Sequence, residues 1–95
     1  MRCHPFFLGA INEVCLYRNF LTNTVAKDEG NAVGDVHRNV DIAQCKKHCD
    51  QTSECNSFAI NPSSGGECSL KDKVLNGNEA TKTIAGWSTY YRICG

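Results

Sequence analysis

The chain has 95 residues, ten basic and ten acidic side chains that cancel to a formal charge of +0, and seven cysteines. That length bounds a single domain. The balanced and scattered charge argues against nucleic-acid binding, which needs a positive patch or stripe. No apolar stretch approaches the roughly 18 residues of a membrane span, and Pro5 to Ile11, which runs into Asn12-Glu13, is too short for a secretory leader.

In chain order, residues 1–12 read as an N-terminal extension. The apolar and aromatic segment Glu13–Leu21 reads as a first strand. Residues 22–39 are polar and carry turn signals at Asp28-Glu29-Gly30-Asn31 and Gly34-Asp35. They predict a long irregular connection with one short strand at Ala32–Val36. A helix then begins at a capping box, with Asp41 as cap and Gln44 three residues on. Ile42, Cys45 and Cys49 share its inner face, Val40 can pack on Cys45, and the helix should end near Gln51. Cys55–Ile60 alternates as a strand with Phe58 and Ile60 on one side. Pro62 to Gly66 forms a hairpin loop, and Glu67–Lys71 returns with Cys68 and Leu70 on one face. Asn76-Gly77-Asn78 marks another turn, and Gly86–Cys94 is the last strand. The reading is α+β: an antiparallel sheet with one helix laid on it.

About 7% cysteine in so short a chain implies a disulfide scaffold, because a domain of this size buries little surface. Cys45 and Cys49 lie one helical turn apart on the same face. They are poorly placed to bridge each other and well placed to staple the helix to what lies beneath. Cys49 can pin the helix end to Cys55, and Cys45 can reach Cys68. Zinc fits less well, because only the Cys45–Cys49 gap has the knuckle spacing of structural sites. A redox role lacks any Cys-x-x-Cys. No Gly-x-Ser-x-Gly is present, and His4, His37 and His48 are scattered, with His48 read as exposed beside Lys47, so no catalytic role is expected.

The run from Asp41 to Ile60 (DIAQCKKHCDQTSECNSFAI), followed by Cys68-Ser69-Leu70-Lys71 and closed by Gly86-Trp87-Ser88-Thr89-Tyr90-Tyr91-Arg92-Ile93-Cys94, resembles the PAN/apple domain. The likeness covers residues 13–95. It implies a sheet of about five antiparallel strands cradling one helix, with Cys45–Cys68 and Cys49–Cys55 as the helix staples. The apple-type members imply a further bridge from the first strand to the last, with Cys15 or Cys3 as the partner of Cys94; Cys15–Cys94 is the favoured pairing, because Cys15 lies inside the predicted first strand. With Cys15–Cys94 formed, Cys3 is a free thiol or an intermolecular one, and a homodimer joined through it is one expectation; with Cys3–Cys94 formed, Cys15 is left buried and inert. The family consists of secreted, extracellular or cell-surface modules, often within larger processed precursors. The resemblance implies binding of proteins or carbohydrates without catalysis, and no cofactor or metal is expected for this chain.

For this chain the reading is therefore an adhesion or recognition module for an extracellular protein, with a lectin-like module or a structural spacer as alternatives. No nucleic acid and no membrane insertion are expected. Tyr17, Trp87, Tyr90 and Tyr91 are the candidate ligand contacts. Tyr90 and Tyr91 are adjacent on a strand and face opposite sides, so one of them points away from the core.

Overall fold

The structure, a computed structural model, describes residues 16–63 and 65–93. Its elements are β1 (Leu16–Asn19), β2 (Thr24–Ala26), β3 (His37–Arg38), α1 (Ile42–Asp50), β4 (Ser57–Asn61), β5 (Glu67–Lys71), β6 (Thr81–Thr83) and β7 (Ser88–Ile93). Five strands form one antiparallel sheet in the order β1-β7-β4-β5-β3, while β2 and β6 pair as a separate two-stranded ribbon. Helix and sheet together make the disulfide-stapled α+β fold expected from the sequence.

The helix starts where the capping box places it. The Asp41 carboxylate accepts from the Gln44 amide at 2.8 Å, and the Gln44 side chain accepts from the Asp41 amide at 2.8 Å. Two of the otherwise orphaned N–H groups are thereby satisfied. The helix ends at Gln51 as its C-cap, with Lys47 and His48 in the last turn. Cys45 and Cys49 are fully buried on its inner face and form the Cys45–Cys68 and Cys49–Cys55 bridges, which join the helix to β5 and to the chain leading into β4.

Period-two alternation sorts the sheet residues into two faces. The inner face, under the helix, carries Phe58, Ile60, Cys68 and Leu70, with Tyr17 and Tyr90 packed at its margin. Phe58 stacks on Tyr90 at 5.2 Å between ring centroids and is tilted against Tyr17 at 5.6 Å. The outer face has its own smaller core, in which Ala26, Leu75 and Tyr91 are buried and Phe20 and Ile93 pack against them. The ribbon is held there in part by the Ala26 amide, which donates to the Thr89 hydroxyl at 3.2 Å.

That ribbon corrects the expectation of an irregular connection over residues 22–39. Thr24–Ala26 and Thr81–Thr83 are too short and too polar to register as strands in the sequence, yet they pair with each other residue for residue. The strand expected at Ala32–Val36 is a single bridge from Ala32 to Lys71, and the regular pairing falls one step later, at His37–Arg38 opposite Glu67 and Cys68. The last strand begins at Ser88 rather than Gly86, because Gly86, at φ 86°, serves a turn instead.

A recognition groove on the outer face

The ribbon covers only part of the outer face, and over β4, β5 and β3 that face stays open as a groove of about 390 Å³. Its floor is Ala59 and Ser69, which are directly paired across β4 and β5. One wall comes from the ribbon side: buried Val25, exposed Ile84 and half-buried Trp87. Trp87 reaches this position through a tight turn in which its amide donates to the Ile84 carbonyl at 3.1 Å. Gly86 supplies the positive φ that the third position of a type II turn requires. The Gly86 amide is also tied to the Asn23 side chain at 2.7 Å, which anchors the turn to the ribbon.

The opposite wall is Val36, 44% exposed, and Arg38, whose guanidinium pairs with Glu67. Farther along, Lys71 and Glu29 pair at 3.6 Å, both side chains being mostly buried. Each charge in the groove thus faces its opposite. Such a surface presents apolar area flanked by dipole-like pairs, with no net field to attract a highly charged ligand.

The four aromatic residues singled out from the sequence have separate fates. Trp87 alone lines the groove. Tyr17 and Tyr90 belong to the inner core, where the Lys46 ammonium lies over both rings at 5.9 and 5.7 Å. The Tyr17 hydroxyl donates to Asp50 at 2.6 Å and accepts from the Arg92 Nε at 3.2 Å, so it is already engaged. Burial, above all, raises the Tyr17 pKa far above the ordinary tyrosine value; Arg92 opposes the shift and Asp50 reinforces it. Tyr91 does face away from Tyr90, as alternation requires, but it is not an outward contact. The ribbon and Leu75 cover it, leaving it 7% exposed.

His48 is likewise not a free surface histidine. It is half-buried and stacks on His37 with ring centroids 3.9 Å apart and planes 15° from parallel. The other groove residues, Val36, Arg38, Glu67, Lys71 and Ile84 among them, carry no joint signal in the sequence, because the lining converges from five separate segments. The alternation of Val36, His37 and Arg38 was the one local hint. Cys3, Cys15 and Cys94 lie outside the described residues, and so does the Cys15–Cys94 bridge. Among the described residues no three His, Cys, Asp or Glu side chains are grouped to hold a metal ion, and no helix is long and apolar enough to cross a membrane.

Comparison with known families matches the PAN-like domain over residues 20–77. The chain belongs to the PAN-like domain family, disulfide-stapled modules associated with protein and carbohydrate interactions. Comparison with curated proteins and with solved structures returned no match.

Proposed function

We propose that this chain is a non-catalytic extracellular recognition module that binds a protein partner in the outer-face groove. The observation that carries this reading is the groove itself: exposed Val36 and Ile84 line it together with Trp87, over a floor of small residues. Apolar side chains gain by leaving water, at about 25 cal/mol per Å² buried. A tryptophan in a partly dry pocket is the residue type that most often dominates a protein interface. The paired charges around it favour an uncharged, partly apolar segment of a partner over a sulfated or phosphorylated ligand. Two buried staples and two small cores would hold the floor of the groove rigid, which lowers the entropic cost of docking.

A carbohydrate reading draws on the same Trp87, whose ring face can stack on a sugar while Ser69, Glu67 and Lys71 hold hydroxyls. The experiment that separates the two presents the refolded domain to an array of extracellular proteins and to a glycan array. The protein reading expects binding on the first array that falls at least about tenfold with Trp87→Ala and with Ile84→Asp, while circular dichroism stays unchanged. Glycan binding competed by free monosaccharides would transfer the site to a sugar. Binding indifferent to both substitutions would remove the groove from the function altogether.

A further inference from the structure

We infer that the His37–His48 stack is an acid-released latch, which holds the β3 segment in place as one wall of the groove at neutral pH and lets it go in mildly acidic medium. The inference deepens the groove reading proposed above, because it makes binding there acid-sensitive.

The geometry rests on alternation. Val36 and Arg38 point to the outer face and line the groove, while His37 between them points to the inner face and meets His48 on α1. One short segment therefore carries a groove wall on one side and the latch on the other. Its own hold on the sheet is slight. β3 is two residues long, and the Val33 amide donates to Leu70 before it while the Val40 amide donates to Gly66 after it, at 2.8 and 3.3 Å. Between those anchors lie two residues of positive φ, Gly34 at 73° with no atom near its missing Cβ and Asn39 at 60°. They are ready positions for a change of backbone direction.

The other half of the latch cannot follow. Helix α1 is fixed by both disulfides, and the His48 carbonyl accepts from the Thr52 hydroxyl at 2.8 Å. Strain in the stack is thus relieved by movement of β3.

Two neutral imidazoles stack without penalty, but two imidazolium ions 3.9 Å apart repel. The surrounding charges do not compensate. Lys47 adjoins His48 on the helix. On β5, Cys68 opposite His37 is a cystine, and Glu67 is engaged with Arg38 of β3 on the other face. Asp35 is exposed in the turn before β3, and no described carboxylate forms an ion pair with either ring. Burial, His37 and Lys47, in that order, hold His48 below the ordinary histidine range. Released from the stack, His48 regains the ordinary histidine value near 6.5. The open segment therefore binds more protons than the closed one, and closure weakens as pH falls from about 6.5 downward.

The test needs no ligand, so its failure is separate from failure of the groove reading. Trp87, the single tryptophan, reports on the groove. Hydrogen exchange, expressed as protection factors with intrinsic rates divided out, reports on residues 36–40. Between pH 7.5 and 5.0 the wild type should lose about fivefold or more of its protection there. Trp87 emission should shift to longer wavelength, while the amides of α1 keep their protection. In His48→Phe, and separately in His37→Phe, an aromatic stack without a titrating partner should abolish both changes. Unchanged protection in the wild type overturns the latch, and so does an acid response that persists in both variants.

Discussion

At the scale of single residues, the most constrained polar group is the Arg92 guanidinium at the foot of the helix. It is 9% exposed, donates to the Cys49 carbonyl and to the Tyr17 hydroxyl, and lies 3.7 Å from Asp50. A positive charge at a helix C-terminus complements the macrodipole, and the buried carbonyl needs a donor. Hydrogen bonds to a charged group are worth about 1.5–3 kcal/mol, so Arg92→Met should cost at least that much in urea unfolding. Tyr17 adds an alkaline signature. Its folded pKa is raised, mainly by burial, so the unfolded chain gives up that proton first, near pH 10. Stability from Tyr17 is therefore intact below pH 10 and falls as pH rises beyond it. Unfolding followed at pH 8, 10 and 11 should show a decline in the wild type that Tyr17→Phe reduces; an equal decline in both would locate the alkaline sensitivity elsewhere.

At the scale of elements, the helix is attached at both ends by different means. Its start is pressed against the β4–β5 hairpin at Gly66, where a Cβ would come within 2.0 Å of the Val40 carbonyl and the φ of 82° already disfavours other residues. Backbone on both sides cannot yield, so Gly66→Ala should destabilise by more than about 1 kcal/mol, measured as a drop in denaturation midpoint. Along its length the two cystines act on loops of different size, with sequence separations of 23 and 6. Chain entropy assigns about 3–4 kcal/mol to Cys45–Cys68 and about 2 to Cys49–Cys55. The paired substitution Cys45→Ser with Cys68→Ser should accordingly lower the melting temperature more than Cys49→Ser with Cys55→Ser. The reverse order would mean that the loop argument is not what governs these bridges.

At the scale of the whole molecule, one sheet serves two cores of unequal weight. Phe58, at 0% exposure, joins the inner cluster to Tyr17 and Tyr90, and Phe58→Ala should cost about 3–5 kcal/mol. Leu75 closes the outer core beneath the ribbon, and Leu75→Ala should cost about 2–5 kcal/mol. The second change should also loosen the ribbon, seen as faster amide exchange in Thr24–Ala26 with the inner strands unaffected. Exchange that rises equally everywhere would show instead that the two layers open as one unit.

The α1 helix, the hairpin from β4 to β5 and the cysteine staples were legible in the sequence because their determinants are local. A capping box spans four residues, a turn lies between two alternating strands, and two cysteines one helical turn apart share a face. The ribbon, the burial of Tyr91, the His37–His48 stack and the groove were not legible. Thr24–Ala26 and Thr81–Thr83 are strands only because each finds the other 57 residues away and because Tyr91 and Leu75 offer them an apolar bed. Alternation told correctly that Tyr90 and Tyr91 part company, but whether the outward one remains in water depends on a second layer that no local pattern encodes. The groove is what that layer leaves uncovered, so its existence was decided by tertiary packing, since the burial of a side chain is a property of its neighbours in space and not of its neighbours in sequence.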